Sequence, residues 1–232
     1  EILKLRGQGG MILLESGYLI LVLTLLQALA ASLILILLPV VARNGTQIPA
    51  ATWSRPRIAL YFFAIGLGFL FLEIAFMQKF ILFLGHPLYS AAVVLAVFLI
   101  FAGLGSQYGQ AKNVRIVWPV ILILVLGIAI LSGADFLFRT LNWLPAALKV
   151  GCTIVLLGPL AFCMGMPFPL ALTVIGSEAP GLIPWAWAVN GCASVVAAVL
   201  ATLVAVHFGF SAVVITALLL YGLAAVTFPV RY

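Results

Sequence analysis

The stretch 58–84, IALYFFAIGLGFLFLEIAFMQKFILFL, carries only two charged side chains, Glu73 and Lys79, in an otherwise apolar run. A helix needs about 20 apolar residues to cross roughly 30 Å of hydrocarbon. Inside lipid every backbone amide and carbonyl must be satisfied within the segment, which a helix does by itself. This run therefore reads as a membrane-spanning helix, and it sets the reading of everything around it.

The rest of the chain has the same character. Of 232 residues, 66% are hydrophobic and 7% are charged, and the mean hydropathy is +1.34. A soluble domain carries about 25% charged residues. So little charge could not cover a water-facing surface, and lipid is the expected solvent. Runs of sufficient length occur at 17–42, 58–84, 88–106, 116–131 (extendable to 137), 147–175, 185–207 and 210–230. The expected fold is all-α: a polytopic integral membrane bundle of about seven transmembrane helices over 17–232. Residues 1–16, with Lys4, Arg6, Gly7, Gly9 and Gly10, read as an interfacial lead-in.

The connections are short. Gly85-His86-Pro87 permits a tight hairpin, and Gly209 leaves almost nothing between the last two runs. The longest connections span 43–57 and 132–146, too short for a separate soluble domain. The opening Glu1-Ile2-Leu3-Lys4 lacks an initiator Met, as expected of a fragment or a processed product. An odd number of crossings places the termini on opposite sides. Lys4, Arg6, Arg139 and Lys149 fall on the N-terminal side. Arg43, Arg55, Arg57, Lys112, Arg115 and Arg231 fall on the other, a mild bias toward a cytoplasmic C-terminus. The net charge of +6 is juxtamembrane in placement and implies no nucleic acid.

Glu73 is the first candidate for chemistry. It lies roughly 22 Å along the helix from Ile58, just past the bilayer centre. A carboxylate there is costly and is a functional candidate by default. One reading is a proton or cation site. The other, favoured about two to one, is a neutral glutamic acid bonded to a neighbouring helix as packing glue. Thr24, Gln27, Ser132, Thr153 and Thr216 lie near its depth and are its expected partners. Lys79 is not one of them, because six residues at 100° place it about 120° away around the helix.

The run 147–175 contains Cys163-Met164-Gly165-Met166-Pro167-Phe168-Pro169. Pro167 and Pro169 remove two amide donors and crowd the preceding turn, so the helix is expected to break there. Broken helices form substrate sites in transporters. They are also tolerated as plain kinks, the favoured reading here by about three to one. Pro184-Trp185-Ala186-Trp187 opens the next run with a proline suited to a first helical turn and two interfacial aromatics. Asn190 lies about 9 Å further in and needs a partner, expected to be the backbone opened by Pro167 and Pro169. Beyond it Ala193, Ala197, Ala201, Ala205 and Gly209 form a ladder of small residues four apart, a helix-packing stripe. Ser194, Ala198 and Thr202 form a second row beside it.

Other chemistry finds no support in the sequence. Cys152, Cys163 and Cys192 sit in apolar runs without a CxxC spacing. His86 and His207 form no metal or haem pair, and no catalytic triad spacing occurs. No catalytic, cofactor-binding or metal-ligating residue is expected, and no cofactor.

Two stretches together carry a resemblance. One is Gly66-Leu67-Gly68 through Glu73, Lys79 and Gly85-His86-Pro87-Leu88-Tyr89-Ser90, continuing to Gly103-Leu104-Gly105-Ser106. The other is Met164-Gly165-Met166-Pro167-Phe168-Pro169 with Ile183 through Asn190-Gly191-Cys192-Ala193-Ser194-Val195. They resemble the C-terminal membrane region of bacterial multi-pass spermidine-synthase-like proteins. The resemblance implies a bacterial inner membrane location and a soluble aminopropyltransferase-like domain outside this chain, where any catalysis would lie. It assigns no role to Glu73 or Asn190.

The expected function is a non-catalytic membrane domain, acting as an anchor or as an accessory subunit of a larger membrane complex. Its partners would be lipid, other membrane subunits or the soluble domain. One alternative is a transporter or permease half using Glu73 and the break at Pro167 and Pro169. Another is the membrane part of an active aminopropyltransferase.

Overall fold

A computed structural model describes residues 10–38, 55–112 and 114–228. Among them there is no strand. α1 (Gly10–Ser32) runs on through a π-helical stretch, Leu33–Leu37. There follow α2 (Arg55–Leu84), α3 (Pro87–Ala111), α4 (Val117–Leu141), α5 (Ala146–Met164) and α6 (Pro167–Glu178). A short 3-10 turn, Pro180–Leu182, leads into α7 (Ile183–Thr227). Pro87, Pro167 and Pro184 each sit in a first helical turn, where a missing amide costs nothing.

α2 is the centre. In its most apolar window 67% of residues are buried, against 22–39% for the other long helices. Its largest interface is with α7, which contacts it twice. The first arm, 183–208, runs parallel to α2: the Arg55 guanidinium stacks 5.7 Å from the Trp185 ring, and Gly66 abuts Ala193. The second arm, 210–227, runs back. Phe210 meets Phe76 at 5.9 Å, and the Thr227 carbonyl accepts from Arg57 Nε at 2.6 Å. The reversal is at Gly209, whose φ of 83° and ψ of 171° lie in a region open essentially to glycine alone.

α3 folds back on α2 through Gly85 (φ 84°) and His86. It then packs backbone to backbone on α5. A Cβ on Gly105 would sit 1.9 Å from the Phe162 carbonyl oxygen, and one on Gly165 would sit 2.0 Å from that of Ala102. Only glycine allows helices this close, and close approach is what binds helices in lipid. α4 lies beside α2 and the second arm of α7. Phe138 stacks on Phe83 at 4.7 Å, and a Cβ on Gly127 would meet Leu218 at 2.6 Å. α1 runs antiparallel to the first arm of α7: Tyr18 meets His207 at 5.4 Å, and Cys192 Sγ donates to the Ser32 carbonyl at 3.3 Å.

Among the described residues, five helices are long and apolar enough to cross a membrane, where the apolar runs suggested about seven. The difference has two sources. The described apolar part of α1, Gly17–Ser32, is shorter than a full crossing. The last two runs abut at Gly209 with no loop between them and count as one element, although Gly209 itself is not helical. Other boundaries also moved. α4 continues to Leu141, so most of the expected 132–146 connection is helix. The 147–175 run is two helices, α5 and α6, parted at Gly165-Met166. α1 begins at Gly10, inside the expected lead-in; residues 1–9, 39–54, 113 and 229–232 lie outside the described set.

Candidate functional site

The site lies where α5 breaks. With no amide on Pro167 or Pro169, α5 ends at Met164; Gly165 N donates to Ala161 O at 3.0 Å and Met166 N to Cys163 O at 3.2 Å. The buried Tyr61 hydroxyl of α2 donates to the Pro167 carbonyl at 2.9 Å and ties the start of α6 to the central helix. Phe168 wedges between Phe62 and Trp187, with ring centroids at 5.3 and 4.8 Å.

Beside this break is a cavity of about 460 Å³. α2 forms its floor at Ile65, Gly66 and Phe69. α3 supplies Ala102, Ser106 and Gln110 from one face. The first arm of α7 supplies Trp187, Asn190 and Ser194, and the second arm contributes Tyr221. Pro167 and Pro169 line it at the break. The two sequence stretches singled out above, far apart in the chain, thus meet at one place.

Asn190 lies at this cavity, but its partner is not the backbone at the prolines. Its Nδ2 donates to the Phe62 carbonyl of α2 at 3.2 Å. A helical carbonyl has a second lone pair to offer. Gly66 makes the approach possible, since a Cβ there would lie 2.7 Å from that same Nδ2. The Asn190 carbonyl receives the Ser194 hydroxyl at 2.9 Å.

Glu73 is buried, 7% exposed, and does not line the cavity. Its electrostatic neighbour is Tyr221, which does. Among the described residues Glu73 makes no hydrogen bond. Thr24, Ser132, Thr153 and Thr216, expected near it, each bond a carbonyl of their own helix: Ile20, Ile128, Lys149 and Ala212 respectively. A hydroxyl three or four residues past a carbonyl reaches it without leaving the helix, and that local bond outcompetes a partner across a gap. Thr153 is fully buried in this way, away from the cavity.

Of the small-residue ladder, Ala193, Ala197 and Ala201 are fully buried, and Ala193 meets Gly66 of α2. Ala205 is partly buried, and Gly209 is exposed at the reversal. Three features escaped sequence reading. Lys79 pairs with Asp135 of α4, with the Phe210 ring 5.0 Å from its ammonium. Asp135 falls in the extension of the fourth run to 137, and nothing in the sequence marks Lys79 of another helix as its partner. Ser106 and Gln110 are four apart on one face of α3, a spacing visible in the sequence but read only as a span end. Tyr61 left no signal, because its acceptor is a backbone carbonyl.

The fold and this site define a polytopic helical membrane protein with a cleft at a broken helix. Comparison of the chain with protein families, curated proteins and solved structures finds no match.

Proposed function

We propose that this chain is the membrane domain of a spermidine-synthase-like protein. It crosses the bacterial inner membrane seven times and anchors its partner, a soluble domain or another membrane subunit, without catalysis of its own. The observation that carries the reading is the enclosure of α2 by the other helices, which makes the bundle self-supporting in lipid. The stripe of Ala193, Ala197 and Ala201 is used within the chain, so a partner would meet another face. The alternating directions support seven crossings. α1, α3, α5 and the second arm of α7 run one way; α2, α4 and the first arm of α7 run the other. The resemblance of 66–106 and 164–195 supports the family reading.

Transport through Glu73 has thinner support. The cavity would have to reach its carboxyl, and Glu73 is not among the residues that line it.

Single-cysteine variants of a Cys152→Ala, Cys163→Ala, Cys192→Ala background test the crossings. An impermeant maleimide should label His86→Cys, Asn142→Cys and Phe208→Cys from one side, and Lys112→Cys and Gly181→Cys from the other. Labelling of positions 181 and 208 from the same side would rule out two separate arms. A fused soluble reporter should resist carbonate extraction. Aminopropyltransferase activity, assayed in this chain alone, should be absent; activity here would overturn the anchor reading.

A further inference from the structure

The cavity has a composition that packing alone does not account for. The Ser106 hydroxyl and the Gln110 amide make no hydrogen bond within the described protein, and Asn190 Oδ1 receives no donor. Ser106 and Asn190 are part-buried and Gln110 is exposed, so these groups are open to a ligand that enters the cleft, and a polar partner there is worth most for the two that lie deeper in lipid. The space itself is the size of a small-molecule site, which typically measures about 300–1,000 Å³. Its walls are aromatic: Phe69, Phe168, Trp187 and Tyr221. No lining side chain carries a charge, so a charged occupant would be desolvated without a counter-ion. Gln110 stands one residue from the end of α3, and Gly66 lies roughly 16 Å inward from Arg55. The cleft thus runs from the interface toward the membrane interior, with exposed Trp187 and Gln110 at its rim.

We propose that the cleft between α3 and the first arm of α7 binds an uncharged amphiphile with an oxygenated ring, a quinone or a phenol, taken up from the lipid phase. The ring lies against the aromatic walls. Its ring oxygens accept from the Ser106 hydroxyl, the Gln110 amide and the second N–H of the Asn190 amide, whose first N–H is held by the Phe62 carbonyl. This proposal requires the bundle to sit in a membrane but is independent of any link to a synthase.

The test uses the chain reconstituted in phosphatidylcholine nanodiscs, with a photoreactive azido-ubiquinone as probe. Failure to reconstitute would count against the membrane reading, not against the site. Saturable labelling should map to peptides covering 102–110 and 187–194, and decylubiquinone should displace it. Phosphatidylglycerol should not; displacement by that anionic lipid would overturn the uncharged-ligand assignment. Ser106→Leu and Asn190→Leu should each weaken labelling about fivefold, the loss of one hydrogen bond, while Ser132→Leu should leave it unchanged. Thermal melting reports whether each variant folds, and Ser106→Leu carries the test should Asn190→Leu not fold. Unsaturable labelling spread over the lipid-facing surface, or labelling that both cavity variants leave intact, would overturn the site.

Discussion

The two arms of α7 meet the central helix through glycines two residues apart, and the two contacts differ in kind. Gly66 faces the first arm, where Asn190 reaches across to the Phe62 carbonyl and borders an open cleft. Gly68 faces the second arm, where the Tyr221 ring lies against it and Glu73 sits nearby without a hydrogen bond. The general rule that a buried membrane carboxylate marks function directs attention to the second contact. The geometry favours the first. A costly residue is not by that fact an accessible one, and a neutral amide with a partner and a cavity has more to offer a ligand.

The largest way to break this contrast is to fill the first contact. Gly66→Leu would force side-chain atoms into Asn190 and the Ala193 methyl, and should destabilise the bundle by about 3 kcal/mol. The midpoint of thermal unfolding in detergent measures it. Gly68→Leu meets an aromatic ring 3.1 Å away, which can shift, and should cost about 2 kcal/mol in the same assay. The next pair differs in sign. Asn190→Leu removes a hydrogen bond between helices and should cost about 1 kcal/mol. Glu73→Leu removes a buried polar group without a hydrogen bond and should stabilise by about 1 kcal/mol. A destabilised Glu73→Leu would give Glu73 a partner or a task and would erase the contrast. The smallest effect belongs to Asp135→Asn. That carboxylate is 66% exposed, so its pair with Lys79 should contribute under about 1 kcal/mol in water-facing surroundings.

The helices themselves were legible as long apolar runs, because a membrane segment must be both apolar and long. Gly85 and Gly209 were legible as reversals, and Pro167 with Pro169 as a break, because each alters what the backbone can do locally. The count was not. Residues 183–208 and 210–227 abut at Gly209 with no loop between them, so the reversal rests on the non-helical φ and ψ of one glycine. Asn190 was legible as a residue in need of a partner, but the partner was not. A carbonyl acceptor exists at every position, and nothing in the sequence marks Phe62. Ser106 and Gln110 were passed over because a polar residue near a span end has a ready explanation at the interface.

What the residues determined alone is the solvent and the secondary structure: so few charges dictate lipid, and lipid dictates helix. What only the tertiary structure decided is which helix is central, which glycine admits which neighbour, and which polar groups share a space. The reason is physical. Helices that are apolar all round have no burial gradient to orient them in lipid, so their arrangement follows from shape and close approach. Those are properties of pairs of surfaces, such as Gly105 with Phe162 or Gly66 with Asn190, and no single stretch of sequence contains a pair.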